Sequence, residues 1–371
     1  MVDRSHINDI RTLGQFSGIT FSKYKKTEVR AKLFDCFAKG KLEPACHWTA
    51  EFVCAGHYRD IWEIFVYFVA KYVHLANPKV LIYLQKRHAM FTTIANNGRV
   101  ITELDLRNEP EIRRLFAEVV CVLCLTPKKP AVEPIKIKRV EEFDITQMTD
   151  RLKAPHVGFL EGIYQKEDAK ELFIAMNELA FHVSPESRNM VNAAYWVEWV
   201  IDFDLVCKRR KEPCKCASRS QVPVDAKFRS DPIWIVWEIF KARTQHGDLS
   251  QLVSCAMNAL FLLFCSKYTQ GSAKKRRPLL YFAISLLTEP LSGETAATVM
   301  LIPAASRDSV DYVIQQIDAV YTQIKENEES PNTDYLFNNL NEKTANLHQS
   351  LRRMDMLSSV DPGMNASSIF A

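Results

Sequence analysis

The stretch "RDIWEIFVYFVAKYVHL", residues 59–75, decides the fold class, because its apolar residues recur with the period of an α-helix. Its polar residues return every three or four positions, which places them on one narrow stripe of the helix surface. Every other face is apolar, so this helix is predicted to lie mostly inside the protein. The pattern begins at residue 47, with a break expected near Gly56, and ends at Asn77-Pro78, where the next helix should start. The stripe consists of Arg59, Glu63, Tyr67, Lys71 and His74.

Most of the remaining chain shows the same helical period. The 371 residues include only 11 glycines, 47% are hydrophobic, and few segments carry the turn residues of β-hairpins. The chain is therefore long and apolar enough to bury a large core. The sequence predicts an all-α protein: an irregular multi-helix bundle with an extended arm rich in proline and lysine and with a pair of C-terminal helices.

Changes in composition divide the chain into five predicted regions. An N-terminal helical region, 1–125, is followed by an extended arm or linker, 126–155, in which prolines and charges are frequent and "PIKIKRV" alternates like an edge strand. A second helical region, 156–305, precedes C-terminal amphipathic helices at 306–357 and a flexible tail at 358–371. The sequence leaves open whether the two helical halves are separate domains.

The C-terminal helices carry a coiled-coil-like seam. In "SVDYVIQQIDAVYTQI", residues 309–324, the apolar residues are three and four positions apart. We expect this seam, at 310–324, to pair with itself or with a partner. "TDYLFNNLNEKTANLHQSLRRMDML", residues 333–357, continues the helical pattern with strongly polar outer faces.

The charge is unevenly distributed. Residues 307–371 hold ten acidic and five basic side chains, so the remaining chain has 43 basic and 34 acidic side chains, a net charge of +9. A mildly basic body with an acidic end is typical of interaction tails and also of solvated helices. The net charge of +4 for the whole chain is too small to identify a partner.

The ten cysteines do not predict a disulfide framework. Several lie in apolar helical stretches, and the N-terminus "MVDRSHINDIRTLG" lacks the apolar core of a signal peptide, which together favour a reducing compartment. Cys207, Cys214 and Cys216 lie in "CKRRKEPCKCASR", where thiolates beside cations could bind zinc. They supply three ligands at an unusual spacing, whereas structural zinc sites use four, so zinc binding stays open here and no metal ligand is assigned.

The uncharged segment "LSQLVSCAMNALFLLFCS", residues 249–266, is just long enough to cross a bilayer. It contains Gln251, Ser254 and Asn258 and is closely followed by another apolar helix, "PLLYFAISLL". A buried helical hairpin is therefore the favoured interpretation, membrane association is the alternative, and no membrane span is expected.

The tetrapeptide "WEIF" occurs twice, at 62–65 and 237–240, and "YWVEW" and "WIVW" add further tryptophans. Tryptophan is frequent in interface hot spots, so these helices could form a docking surface. Aromatic-rich core helices explain the same pattern, and this second interpretation is favoured. A match of four residues is too short to establish an internal duplication.

Two basic clusters, "KRRK" at 208–211 and "KKRR" at 274–277, could contact phosphate groups or serve as nuclear-import signals. Both are predicted to be loops between apolar helices, so solvated linkers are the alternative interpretation. The sequence contains no RNA-recognition motif, no C2H2 finger and no clear helix-turn-helix signature. Nucleic-acid binding through loops 207–219 and 274–277 therefore stays open without a specific motif.

Searches for catalytic motifs find no Walker A loop, no Rossmann fingerprint, no nucleophile elbow and no zinc-protease helix. His47, Glu51 and Cys54 would share one helix face and form the best polar cluster, although a core or surface role is favoured. The sequence predicts a protein that is not an enzyme, and it assigns no catalytic or cofactor-binding residue and no cofactor.

Four segments resemble an uncharacterised helical protein family of large nucleocytoplasmic DNA viruses that infect algae and protists. They are "WTAEFVCAGHYRDIWEIFVYFVAKYVHLANPKVLIYL" (48–84), "LRNEPEIRRLFAEVVCVLC" (106–124), "DITQMTDRLKAP" (144–155) and "RRPLLYFAISLLTE" (276–289). The resemblance spans roughly 20–290. It implies a protein made in the host cytoplasm and packaged in the virion, as minor capsid proteins are.

Two hypotheses about function follow. The first is a structural virion protein that is not an enzyme and that bridges or cements capsid proteins, both the major capsid protein and other minor ones, through its arm and terminal helices. The second is a viral nucleic-acid-associated or transcription accessory factor that uses the two basic loops. An enzyme of unrecognised type that uses His47, Glu51 and Cys54 is a third, weaker hypothesis.

Overall fold

The computed structural model describes residues 5–96, 102–137, 143, 149–212, 214–289, 291 and 300–331. Within these ranges the regular secondary structure is helical, so the predicted all-α fold class is confirmed. The first half contains α1 (Lys26–Lys39), α2 (Leu42–Cys54), α3 (Tyr58–Phe68), α4 (Lys79–Ala95) and α5 (Pro110–Leu125). The second half contains α6 (Phe173–Val183), α7 (Met190–Arg209), α8 (Ile233–Thr244), α9 (Gln251–Cys265), the short α10 (Ser272–Lys275) and α11 (Arg277–Thr288). α12 (Arg307–Gln315) and α13 (Ile317–Lys325) follow.

The break predicted at Gly56 separates α2 from α3. Gly56 has a φ of +74°, and a Cβ at this position would lie 2.6 Å from Leu13 Cδ2, so both the backbone conformation and the packing require glycine. α3 then continues into a π-helical turn, Val69–Val73, and a 3-10 turn, His74–Ala76, before α4 begins after Pro78. The boundary predicted at Asn77-Pro78 is confirmed.

His74 is placed differently from the prediction. The sequence put it on the polar stripe of the helix, but its side chain is 2% exposed and its ring packs against the Phe282 ring of α11, with 4.7 Å between centroids. The π-helical turn rotates the chain after α3, so a residue that straight helical spacing places outside lies inside. Burial lowers the pKa of His74 to about 4, because the imidazolium loses its hydration.

His74 should make the protein sensitive to mild acid. In the unfolded chain its pKa is about 6.5. Between pH 6.5 and 4, His74 is protonated in the unfolded state but stays neutral in the folded state. The free energy of unfolding therefore falls as the pH falls through this window. We expect the free energy of unfolding to decrease by about 2–3 kcal/mol between pH 7 and pH 4.5 because of His74. Urea denaturation at the two pH values measures this decrease.

The variant His74→Leu should lose most of that pH dependence, since it keeps an apolar side chain against Phe282 without a titrating group. His88, whose pKa is also lowered by burial, would account for part of the slope that remains. His246 is exposed, and His246→Gln serves as the control that leaves the slope unchanged. An equal pH slope in His74→Leu and in the unmodified protein would contradict the prediction.

The two helical halves pack against each other. α4 lies against α9, and the π-helical turn after α3 lies against α11. The buried apolar side chains of both halves belong to one continuous core. Asn77, which is fully buried, adds a polar link by donating from Nδ2 to Thr126 Oγ1 at 3.1 Å and to the Met300 carbonyl at 2.9 Å.

The start of the predicted arm, residues 127–137, has no regular secondary structure and packs against the helical part of the same chain. The Ala131 amide donates to the Lys71 carbonyl of the π-helical turn at 2.7 Å, and the Ile135 amide donates to the Tyr281 hydroxyl at 2.9 Å. At the other end, the Lys153 and Ala154 amides donate to the Glu178 carboxylate at 2.9 and 3.0 Å. Residues 138–142 and 144–148 of the arm lie outside the described residues.

The seam predicted at 310–324 is covered by the chain itself. The helix is interrupted at Gln316, so that two short helices, α12 and α13, pack on α2 and α5. The expected pairing through this seam would therefore require this packing to open. The second C-terminal helix, at 333–357, and the tail, 358–371, lie outside the described residues. The buried seam residues are Val310, Val313, Ile317, Tyr321 and Ile324.

The segment at 249–266 forms α9, which is 15 residues long and begins with Ser250 as N-cap. Its side chains pack between α4, α8 and α11, which agrees with the buried interpretation. No helix among the residues with described structure is long and apolar enough to cross a membrane.

A candidate anion-binding cleft

A cleft of about 710 Å³ opens where the two halves meet. α3 and α4 form one wall, and the end of α9, α10 and the start of α11 form the other. The polar stripe recognised in the sequence faces this cleft through Arg59, Glu63 and Tyr67. A volume of this size is typical of small-molecule sites, which range from about 300 to 1,000 Å³.

The floor of the cleft is aromatic. The centroid of the Trp62 ring lies 5.7 Å from that of Phe91 and 4.9 Å from that of His88. The ring centroids of Tyr58 and Phe91 are 5.3 Å apart. Trp62 and Tyr58 are 6% and 4% exposed, whereas Phe91 and Tyr67 are half-buried and present part of their surface to the cleft. The Trp62 Nε1 and Tyr58 hydroxyl find no hydrogen-bond partner in the described part of the chain.

Cations surround the entrance. Arg30, Arg59, Lys267, Lys275 and Arg276 line the cleft, against Glu63 and Glu103 as the acidic lining residues. Arg59 Nε lies 3.3 Å from Glu63 Oε1, so this ion pair neutralises one of the positive charges of the lining. Lys267 and Lys275 are exposed and leave the entrance positively charged.

A polar pair joins the two walls. His88 Nε2 of α4 lies 3.2 Å from Ser266 Oγ at the end of α9. Burial, together with the nearby charges of Lys267 and Arg276, lowers the pKa of His88. His88 is therefore neutral at pH 7 and can both donate and accept hydrogen bonds in the cleft.

The two basic clusters predicted from the sequence converge on neighbouring surfaces. Lys208 and Arg209 at the end of α7 line a groove of about 420 Å³ together with Lys274. Lys274 and Lys275 also line a smaller cavity of about 270 Å³ with Lys71, and Lys275 lines the cleft. α10 thus lies at the junction of three adjacent cavities.

Part of each cluster is committed to the fold: two residues of 274–277 and one of 208–211. Arg276 donates to the Phe264 carbonyl at 2.6 Å, and Arg277 lies 3.2 Å from the buried Glu198 carboxylate. Lys208 pairs with Asp204 at 2.7 Å. The exposed cations that remain for a ligand are Arg209, Arg210, Lys211, Lys274 and Lys275.

The three cysteines of the basic loop are partly or fully shielded from solvent. Cys216 is buried, Cys207 and Cys214 are half-buried, and burial raises the pKa of Cys207. The described residues contain no group of three or more His, Cys, Asp or Glu side chains placed to hold a metal ion.

The cluster of His47, Glu51 and Cys54 is structural in character. Glu51 is fully buried and accepts hydrogen bonds from Thr20 Oγ1 at 2.8 Å and from the Ser22 amide at 2.9 Å, which fixes the loop before α1. Cys54 is fully buried, and burial raises the pKa of its thiol. His47 is half-buried, and its ring lies edge-on to the Trp48 ring with 5.2 Å between centroids.

The sequence displayed two parts of the cleft lining, the i,i+4 stripe on α3 and the basic cluster at 274–277. His88, Phe91 and Lys267 carried no signal, because a tertiary contact between α4 and α9 brings them together. No family model, no curated protein and no solved structure matches this chain. The resemblance to a viral family, with the capsid partners and virion localisation that it implies, therefore stays a prediction.

Proposed function

We propose that this protein binds nucleic acid through the basic surface around α10, as an accessory factor that is not an enzyme. The observation that carries the proposal is the position of Lys274 and Lys275 at the junction of three cavities, which joins the 208–211 cluster to the cleft. Sequence clusters that are distant along the chain thus form one surface.

The charge of this surface suits a phosphate backbone. Four cations, Lys71, Lys274, Lys275 and Arg277, line the smallest of the three cavities. Lys71 pairs with Glu133 at 3.3 Å and Arg277 pairs with Glu198, so Lys274 and Lys275 are the two that form no ion pair within the described residues. Lys and Arg side chains spaced along a surface neutralise phosphates and release counterions, which supplies most of the affinity of non-specific binding. The aromatic cleft beside them favours single strands, whose bases can stack on aromatic rings.

We expect Lys274→Ala/Lys275→Ala to weaken binding of a fluorescently labelled single-stranded oligonucleotide, measured by anisotropy. Because two phosphate contacts are lost, the slope of log affinity against log salt concentration should fall in magnitude by about 1.4 for a single strand. Arg209→Ala/Arg210→Ala/Lys211→Ala should weaken binding in the same way. Lys208 and Arg277 are left unchanged, because they neutralise acidic side chains of the fold.

The matched control is Lys166→Ala/Lys170→Ala. These lysines are exposed and line none of the three cavities, so their loss changes the net charge by the same amount. An equal loss of affinity in both double variants would mean that net charge alone attracts the strand. That result, or an absence of binding by the unmodified protein, would refute the proposed surface.

A second candidate function is the structural virion role. A groove of about 630 Å³ between the start of α2 and α12 contains Tyr312, whose side chain is 60% exposed. An exposed aromatic side chain at the rim of a groove is typical of protein contacts. Quantitative mass spectrometry of purified virions, with cross-linking, tests this role: stoichiometric presence with cross-links to capsid proteins supports it, and absence from virions refutes it.

A further inference from the structure

The cleft combines two kinds of lining that a single class of ligand requires. Its floor is aromatic, around Trp62 and Phe91, and its entrance is cationic, at Lys267, Lys275 and Arg276. A ligand that satisfies both has a flat apolar part and an anionic part a few ångströms away. A nucleotide, with its base and its phosphate, has this form.

Lys267 is held in an unusual backbone conformation at the entrance. Its φ is +43°, which residues other than glycine rarely adopt, and it follows the C-cap of α9 directly. Such strain persists where the surrounding structure imposes it, and it is frequent at ligand sites. Here it places a lysine on the cleft lining opposite α3 and α4.

The polar groups of the floor favour a base over an acyl chain. His88 and Ser266, both half-buried on the cleft lining, form a neutral hydrogen-bonding pair. Burying an acyl chain against this pair would leave its remaining hydrogen-bonding capacity unsatisfied, whereas the nitrogen and oxygen atoms of a base can pair with it. The partly exposed rings of Phe91 and Tyr67 can stack with it.

We propose that this cleft binds one nucleotide, with the base among the aromatic side chains and the phosphate at Lys267 and Lys275. The nucleotide can be free or part of a strand. The strand case rests on the proposed function, because the strand would lie along the basic surface around α10.

The test uses adenosine 5′-monophosphate and, as the matched ligand without a base, ribose 5-phosphate. Binding is followed by the indole Nε1–H resonance of Trp62 in the full chain, assigned with Trp62→Phe. The variant Ala95→Trp fills the cleft from α4, and Ala89→Trp places the same side chain on an exposed position of that helix as control. Thermal unfolding of both variants verifies that they fold.

We expect the adenine nucleotide to move the Trp62 resonance and to bind at least about fivefold more tightly than ribose 5-phosphate, as base stacking requires. Ala95→Trp should weaken this binding at least about fivefold, and Ala89→Trp should leave it unchanged. Equal affinity for the two ligands, or equal affinity in the two variants, would overturn the inference.

Binding of a single-stranded oligonucleotide distinguishes a free nucleotide from a nucleotide within a strand as the ligand of the cleft. Competition between the strand and the nucleotide would support the strand case and the proposed function together. Nucleotide binding without any strand binding would support a free nucleotide as the ligand and overturn the proposed function. Strand binding that depends on Lys274 and Lys275 but not on Ala95→Trp would overturn the strand case alone.

Discussion

Trp237→Ala is expected to lower the free energy of unfolding by about 3–5 kcal/mol. The Trp237 side chain is 1% exposed and lies in the contact between α8 and α9. The centroid of its ring is 5.5 Å from that of Phe261 and 5.1 Å from that of Phe264. Truncation would remove these contacts and leave a cavity that close-packed neighbours cannot fill. Urea denaturation, compared with the unmodified protein, measures the effect.

Trp237→Phe is the matched variant. The Trp237 Nε1 has no hydrogen-bond partner in the described structure, so phenylalanine removes a buried unsatisfied donor while keeping an aromatic ring. We expect it to cost at most about half as much as alanine. A folded Trp237→Ala variant of unchanged stability would contradict the core assignment and would favour the docking surface that the sequence left as an alternative.

The tryptophan helices show what sequence patterns can predict. Both copies of "WEIF" belong to core helices, with Trp62 at 6% and Trp237 at 1% exposure, so the favoured interpretation is confirmed. The spacing of apolar residues along the sequence shows which face of a helix is buried, and both tryptophans lie on such a face. The exposed rim of the cleft is different, since it depends on which helices meet.

Two local expectations about helices were not met, for identifiable reasons. The helix through 309–324 is interrupted at Gln316, although the apolar spacing continues, because α12 and α13 follow the surfaces of α2 and α5. His74 is buried because of a π-helical turn, and no residue type in the sequence predicts such a turn. Spacing predicts the face of an ideal helix, and it cannot predict where tertiary packing changes the helix.

The basic loop 207–219 is a third case, and it leads to the second large prediction. A solvated linker was the alternative interpretation of this loop, but Arg219 at its end is 1% exposed. Its guanidinium pairs with the buried Asp168 carboxylate through two nitrogens, Nη1 and Nη2, and Nε donates to Glu238 Oε2 at 3.1 Å. The loop is therefore fixed to the turn before α6 and to α8.

Arg219→Met is expected to destabilise the protein by about 3–5 kcal/mol, because it leaves Asp168 buried without its cation. Burial alone would raise the pKa of Asp168, but hydrogen bonds from Arg219 and from the Gln165 and Ala217 amides hold it below its ordinary value. Without the guanidinium, the carboxylate must stay charged in a poor environment or take up a proton. Chemical denaturation at pH 7 and at pH 5 should show a smaller loss at the lower pH, where protonation is easier.

The double variant Arg219→Met/Asp168→Leu separates the charge from the packing. If the penalty comes from an unpaired buried carboxylate, removing that carboxylate should make the double variant more stable than the sum of the single changes predicts. Additive losses would instead mean that Arg219 contributes mainly through its contact with Glu238 and through packing of its aliphatic stem. In either case Arg219 belongs to the fold, so a loss of nucleic-acid binding on its substitution would reflect unfolding of the loop. The surface proposed for binding is therefore tested at Lys274 and Lys275, whose side chains are exposed.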